Sequence, residues 1–313
     1  MHKVFVDGQE GTTGIEIHER LSIRNDVEIL TIPSDKKKDT EERAKYLNSA
    51  DIVFLCLPDE AAKESVSLIT NPNVRVIDAS TAHRVHDGWD YGIAELSPEH
   101  RENIKNSKRV TNPGCHATGF IMAMYPLVKE GIIAPDFPST CYSLTGYSGG
   151  GKKLIENYEN PANKEDVLCP KIYGLGLHHK HLPEMQKRSN LLNAPLFTPI
   201  VAPYYRGMNV TTPIIPKLMN KSMSAKALHE FYSRYYSGER FVKIMPFGIE
   251  NDIPQGFLSA EGCNNTNEIH FYIFGDDNQI LIVAQLDNLG KGASGAAIQN
   301  MNIMTGTDEA YGL

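Results

Sequence analysis

An apolar strand that runs straight into three glycines at three-residue spacing constrains this chain more than any other feature. Val4-Phe5-Val6-Asp7 is followed by Gly8, Gly11 and Gly14, and Thr13 to Leu21 then carries apolar residues at helical spacing. A glycine turn there lets the backbone approach a pyrophosphate closely, while the helix N-terminus offers N–H groups and a partial positive charge to the anion. A glycine triplet by itself is also an ordinary turn; its place between strand and helix gives it the nucleotide meaning. Thr12 and Thr13 stand where they either cap the helix or offer hydroxyls to phosphate.

The alternation continues for a third of the chain. Val27 to Ile32 reads as a strand and Thr40 to Asn48 as a polar helix. Asp51 to Leu57 is a continuous apolar run, as expected of a strand buried on both faces. Asp59 to Ile69 is helical and Val74 to Asp78 a further strand. Short loops in a βαβα order predict a Rossmann-type, doubly wound parallel sheet in an α/β protein. After about residue 112 the rhythm changes. Ser139 to Leu144, Leu196 to Pro216 and Ile269 to Asp287 favour longer strands, whereas Lys152 to Leu168 and Ala225 to Tyr236 look helical. That pattern predicts a second, α+β domain with a mixed or antiparallel sheet, and Gly290 to Met304 reads as a closing helix.

Charge and cysteine content narrow the function. The formal net charge is −7, and the Lys36-Lys37-Lys38 run is cancelled by Asp35, Asp39, Glu41 and Glu42, so no nucleic-acid partner is expected. No apolar stretch approaches the ~18 residues of a membrane span. Met1 to Asp7 begins a strand without the apolar region of a signal peptide, so a soluble, cytoplasmic protein is expected. The five cysteines contain no CxxC pair, which fits a reducing compartment and neither a disulfide framework nor a zinc site.

At the end of the second strand, where a dinucleotide fold meets the adenosine ribose, the chain reads Ile32-Pro33-Ser34-Asp35-Lys36-Lys37-Lys38. Ser34 and the lysines from Lys36 onward suit the 2′-phosphate of NADP, while Asp35 suits the free hydroxyl of NAD. A solvated charged loop is the plain alternative. NADP is the expected cofactor.

Two further segments carry chemistry. In Thr111-Asn112-Pro113-Gly114-Cys115-His116-Ala117-Thr118, the turn at Pro113-Gly114 places Cys115 at or just before a helix start. A thiol there has its pKa lowered by the helix dipole, as a nucleophile requires. Cys56, inside an apolar strand, reads instead as packing. In Gly176-Leu177-His178-His179-Lys180-His181-Leu182-Pro183-Glu184, three histidines and a carboxylate stand together. The tight spacings of a zinc site are absent, so no metal is expected, and a proton-handling histidine oriented by a carboxylate is the economical reading. Thiol, histidine and dinucleotide together describe attack of a thiolate on an activated acyl carbon, followed by hydride reduction of the thioester.

These motifs, with Asn288-Leu289-Gly290-Lys291-Gly292-Ala293-Ser294-Gly295 near the end, carry a resemblance that runs the length of the chain in order. The sequence resembles the shorter N-acetyl-γ-glutamyl-phosphate reductases, within the wider aspartate-semialdehyde dehydrogenase family. The resemblance implies NADPH-dependent reduction of a small acyl phosphate to a semialdehyde for arginine synthesis. It implies Cys115 as the nucleophile, and a base from the histidine segment held by Glu184; His179 is the first choice and His181 the second. It further implies Arg84 as a clamp for a substrate anion, with a surface arginine as the alternative, and Arg206 as a less direct support. Thr145-Gly146-Tyr147-Ser148-Gly149-Gly150-Gly151-Lys152 resembles the glycine-rich loop beside the nicotinamide, through Ser148 and Gly149. Asn288 resembles an asparagine that contacts the nicotinamide amide, which returns the end of the chain to the first domain. The expected domains are therefore residues 1–113 with 287–313 for the dinucleotide and 114–286 for catalysis and dimerisation, in a homo-oligomer (dimer or tetramer). Ala94 departs from the family pattern, which has proline there.

Three rivals remain at this level. An aspartate-semialdehyde dehydrogenase-like enzyme would act on another acyl phosphate. A carrier-protein-dependent relative would want basic surface that the sequence lacks. A nucleotide-binding sensor without catalysis would have no use for Cys115 and His179.

Overall fold

Strands that are apolar on both sides set the first half of the architecture. The computed structural model of the chain describes residues 1–37 and 39–313, with the backbone alone at 163 and 164. In chain order come β1 (His2–Asp7), α1 (Thr12–Ser22), β2 (Val27–Leu30), α2 (Thr40–Ser49), β3 (Ile52–Leu55), α3 (Asp59–Leu68) and β4 (Arg75–Asp78). Next are β5 (Asp90–Tyr91), α4 (Pro98–Asn106) and β6 (Arg109–Thr111). The middle of the chain holds α5 (Cys115–Lys129), β7 (Thr140–Gly146), α6 (Lys152–Glu159), α7 (Lys164–Val167), β8 (Lys171–Ile172) and α8 (Leu182–Arg188). It continues with β9 (Leu196–Ala202), β10 (Met208–Ile214), α9 (Ala225–Tyr235), β11 (Val242–Ile244), β12 (Ile269–Gly275) and β13 (Ile280–Leu286). A π turn at Gly290–Ser294 leads into α10 (Gly295–Thr305). Two units result: Met1–Gly114 with Ala293–Leu313, and Cys115–Gly292.

In the first unit the strand order is β2-β1-β3-β4-β6-β5, and every pairing is parallel. Successive side chains leave opposite faces, so each strand feeds two cores. Val4, Val6, Ile52 and Phe54 pack with Ile17 and Leu21 of α1 and with Ala297, Ile298 and Met301 of α10. Phe5, Val53 and Leu55 pack on the other face with Leu47 of α2 and Ala62 of α3. This double burial is why β3 reads as an unbroken apolar run, and the doubly wound parallel sheet is the one expected.

The second unit is a mixed sheet in the order β11-β12-β13-β10-β7-β9-β8, with β7–β9 and β11–β12 parallel and the other pairings antiparallel. Its central helix, α5, is buried from His116 to Leu127. Gly119 lets α5 lie directly on β10, since a Cβ there would stand 2.6 Å from the Val210 Cβ. Pro126 has no N–H for the Met122 carbonyl four residues earlier, and the Tyr236 hydroxyl donates to that oxygen instead. The Tyr232 hydroxyl does the same for Ala123, fastening α9 across the helix.

The structure departs from the sequence reading in places. The span from Lys152 to Leu168, read as one helix, is broken: α6 stops at Glu159, Asn160 is extended, and Pro161 starts a separate turn. The short strands β5, β8 and β11 were not read at all; two or three residues are too few to show a period. Residues 287–292, expected with the dinucleotide domain, group with the second unit. The reason is local: the Asp287 carboxylate accepts from the Asn265 N–H at 2.7 Å, and Asn288 is bonded on both sides within that unit.

Candidate active site

Burial separates the cysteines. Cys141 and Cys263 are buried, and desolvation drives both thiols up, Cys263 to about 12. Cys56 is likewise pushed up to about 12 by burial and by the carboxylates of Asp78 and Asp7. Cys115 is partly exposed and is the first residue of α5, where the helix N-terminus favours a thiolate. Gly292 lies against it: a Cβ there would come within 2.7 Å of the Cys115 Cβ, so glycine lets the two segments pack this closely.

The histidine segment folds over the start of α5. His179 is partly exposed, whereas His181 and Glu184 are buried, Glu184 in the first turn of α8. The two imidazoles meet edge to face, 4.7 Å between centroids. The His181 backbone N–H donates to His179 Nδ1 at 3.2 Å, so the neutral His179 ring carries its proton on Nε2. Phe197 of β9 walls both His179 and His116, 5.1 and 5.3 Å from their rings. His116, the neighbour of Cys115, is itself buried; its Nδ1 meets Ser143 Oγ and its Nε2 the Tyr173 hydroxyl, each at 2.8 Å. Burial, then the charges of His179 and Lys180, pull its pKa down to about 3, so His116 is neutral at working pH. His178 is exposed. Among the described residues no three His, Cys, Asp or Glu side chains are arranged to hold a metal ion. Tyr173, Ser143 and Phe197 are the residues sequence reasoning missed. They come from three different strands or strand ends, and no local motif marks them.

The glycine loop after β7 is held from the side. Gly146 N–H, Tyr147 N–H and Ser148 N–H donate to the carbonyls of Gly207, Tyr204 and Tyr205. Asn288 joins the two loops: its Oδ1 accepts from the Gly207 N–H at 2.8 Å, and its Nδ2 donates to Ser148 Oγ at 2.9 Å. Gly149 stands next to that amide. Arg206 Nη1 donates to Asn265 Oδ1 at 2.7 Å and pairs with the buried Asp287 carboxylate at 3.3 Å.

In the first unit, the glycines of the dinucleotide turn divide by cause. Gly8 has φ +89°, and a Cβ there would strike the Cys56 carbonyl; one at Gly14 would lie 2.5 Å from the Gly8 oxygen. Those two glycines are required by the turn itself. A Cβ at Gly11 would meet nothing closer than 3.7 Å, so the fold does not require glycine there. Gly11 is also the N-cap of α1, which leaves Thr12 and Thr13 as its first two residues rather than as caps. Thr12 Oγ1 is buried and has no hydrogen-bond partner among the described residues. An open glycine, uncapped first-turn amides and an orphaned hydroxyl fit a phosphate.

Ser34, Asp35 and Lys36 form a turn of 3-10 helix after β2. Lys36 Nζ lies 3.6 Å from Glu42, and Lys37 Nζ donates at 2.7 Å to Glu10, inside the glycine turn. Lys38 lies outside the described residues. Arg84 is buried and donates to the carbonyls of Asn112 and Ala79, which makes it a brace for the segment leading to Cys115. Ala94, at the family's proline position, opens a short 3-10 turn.

Comparison with known proteins adds to this geometry. Residues 3–104 match the family model "Semialdehyde dehydrogenase, NAD binding domain", and residues 115–288 match "Semialdehyde dehydrogenase, dimerisation domain". The N-acetyl-gamma-glutamyl-phosphate reductase 2 of a Nostoc species is 45% identical over 318 residues, covering 99% of both chains. The Pseudomonas putida protein of the same name is 43% identical over 312 residues, 99% of this chain and 98% of its own. Among solved structures, the aspartate semialdehyde dehydrogenase of Francisella tularensis shares the fold with a TM-score of 0.73 at 15% identity, over 97% of this chain and all (100%) of its own. The NADP complex of the Candida albicans enzyme gives a TM-score of 0.65 at 15% identity, over 97% of this chain and 98% of its own.

Proposed function

The chain belongs to the semialdehyde dehydrogenase family, among its N-acetyl-gamma-glutamyl-phosphate reductases, and on that footing we propose that it reduces N-acetyl-γ-glutamyl phosphate to N-acetylglutamate 5-semialdehyde and phosphate, with NADPH, in arginine synthesis. The observation that carries the chemistry is Cys115: a partly exposed thiol at a helix N-terminus, beside a cluster of histidines.

Cys115 Sγ attacks the acyl carbon, forming a C–S bond while the C–O bond to phosphate breaks. Bound NADPH supplies the hydride that reduces the resulting acyl carbon. The C–S bond then breaks, releasing the aldehyde and returning the thiolate. Of the two imidazoles that meet edge to face, His179 is the one exposed enough to touch the reacting atoms, and its neutral ring offers Nε2–H to the oxyanion that develops at each addition. Its acid–base role through Nδ1 operates when the long contact with the His181 amide opens. Buried His181 positions His179 through that same amide, and Glu184 supports the pair from α8. Ser148, Gly149 and Asn288 shape the loop that receives the nicotinamide end. Arg206, held by Asp287, presents positive charge to a substrate anion, and Arg84 positions the turn before Cys115.

For the cofactor, Gly8 and Gly14 build the turn, Gly11 and Thr12 meet the pyrophosphate with Thr13, and Ser34 with Lys36 faces the 2′-phosphate. A homo-oligomer, dimer or tetramer, is supported by the dimerisation-domain match and by Tyr142 and Leu196, exposed on one face of the second sheet. Cytoplasmic residence is supported by five cysteines with no disulfide among the described residues, and no helix among those residues is long and apolar enough to cross a membrane.

The test is a substrate panel in the phosphate-dependent oxidative direction, with N-acetylglutamate semialdehyde and aspartate semialdehyde, each with NADP and NAD. The reading expects the acetylated substrate and NADP to give the highest kcat/KM. A preference for aspartate semialdehyde would move the chain to the neighbouring activity, and no turnover with either would return the non-catalytic sensor.

A further inference from the structure

Asn265 touches both members of the Arg206–Asp287 pair, and the steps above give it no role. Its backbone N–H donates to Asp287 Oδ2 at 2.7 Å, and its side-chain Oδ1 accepts from Arg206 Nη1 at 2.7 Å. That second contact is closer than the 3.3 Å between the same nitrogen and the Asp287 carboxylate. Asn265 makes both in the left-handed conformation, φ +62°, which asparagine tolerates better than most residues. The neighbouring Asn264 Nδ2 donates to the Arg206 carbonyl at 3.0 Å, so two successive residues hold the arginine by its backbone and by its side chain. Asp287 ties this group to the nucleophile: its carbonyl accepts from the Gly292 N–H at 2.9 Å, and Gly292 packs against Cys115. All of these residues belong to the second unit.

Charge decides what such a group can receive. The Asp287 carboxylate is completely buried, accepts from the Leu289 N–H at 2.9 Å as well, and with Arg206 makes a pair without net charge. A second carboxylate on the same guanidinium would give the site a net negative charge and repel an incoming anion. Asn265 supplies a close anchor from a neutral amide, so it fixes the guanidinium and adds no negative charge. A fixed plane matters because a guanidinium binds carboxylate or phosphate best as a planar fork. We infer that Asn265 is a positioning residue that sets the anion affinity of Arg206, holding the guanidinium with an uncharged oxygen so that a substrate anion, carboxylate or phosphoryl, is received beside Cys115. This inference rests on the reading that Arg206 meets a substrate anion. Asn265 is itself exposed, so a change there leaves the core untouched.

The experiment is steady-state kinetics in the oxidative direction, with KM measured separately for N-acetylglutamate semialdehyde, which carries the carboxylate, and for inorganic phosphate. Asn265→Asp keeps the shape and the acceptor and adds one negative charge. It raises one of the two KM values about tenfold, the scale of a hydrogen bond to a charged group, with kcat within about twofold of the parent. Raised ionic strength narrows that gap by screening, which a purely structural defect would not show. Asn265→Gly keeps the left-handed backbone and loses the acceptor; it raises the same KM by about threefold, the low end for one lost hydrogen bond, and decides the matter if Asn265→Asp proves poorly folded. A rise for the semialdehyde assigns Arg206 to the carboxylate, and a rise for phosphate assigns it to the phosphoryl group; either sustains the inference. Both KM values unchanged in folded variants, or a fall in kcat alone, overturn it. Arg206→Ala with both KM values unchanged would instead overturn the reading on which it rests.

Discussion

The glycine turn of the first unit and the cysteine–histidine cluster of the second are built by opposite means. The turn works with backbone: open space at Gly11, uncapped amides of α1 and one orphaned hydroxyl on Thr12. The cluster works with side chains, packed edge to face and mostly buried, with both ring nitrogens of His116 already hydrogen-bonded. A backbone site is legible as spacing along the sequence. A side-chain site is assembled from β7, α5, β8, α8 and β9, and only its densest local pieces are legible.

Substitutions should break the two regions differently. Cys115→Ala has the largest expected effect: turnover falls by about four orders of magnitude or more, as for loss of a covalent nucleophile, while NADP titration is unchanged. His179→Asn follows, with a loss of roughly two to four orders in kcat. His181→Asn should cost less, because a buried ring that acts through its backbone amide keeps that amide. If His181→Asn is the more damaging change in steady-state assays, the roles of the two histidines are exchanged.

The glycines sharpen the comparison at lower amplitude. Gly8→Ala forces a side chain into a left-handed conformation against the Cys56 carbonyl and should lower folding stability by about 1–3 kcal/mol in thermal or denaturant melts. Gly11→Ala should melt like the parent, yet lose about 1–3 kcal/mol of NADP affinity by calorimetry, because its methyl fills only ligand space. Equal effects of the two on stability would show that Gly11 serves the fold.

The last expected effect is one of pH. An unfolded histidine takes up a proton near 6.5, whereas folded His116 resists until about 3. Between those values the unfolded state binds more protons, so native stability falls as pH drops from about 6.5 toward 3. His116→Asn should flatten that slope by one proton in denaturant melts taken across the acid range. An unchanged slope would mean that the ring titrates normally in place.

Much of the frame was readable because it rests on local pattern. The apolar run at β3 announced two buried faces, Pro113-Gly114 announced the helix start at Cys115, and the histidine segment announced itself by density. What stayed hidden depends on partners far along the chain. Tyr173 meets His116 57 positions away, and Asn288 bridges to Ser148 140 positions away. Arg84 reads as a substrate clamp because arginines so often bind anions; in the fold it is buried and donates to the carbonyls of Asn112 and Ala79. Lys37, read with its neighbours as a phosphate patch, already pairs with Glu10 of the glycine turn.

The central claim, that Cys115 carries the acyl group, is tested most directly in the oxidative direction with phosphate omitted. The protein is mixed rapidly with N-acetylglutamate semialdehyde and NADP, NADPH absorbance is followed, and the quenched protein is digested for mass spectrometry. The account predicts a burst of one NADPH per active site that then stalls, with the acyl group on the peptide containing Cys115, and neither burst nor adduct in Cys115→Ala. Steady turnover without a burst, or an adduct on any other residue, would contradict it.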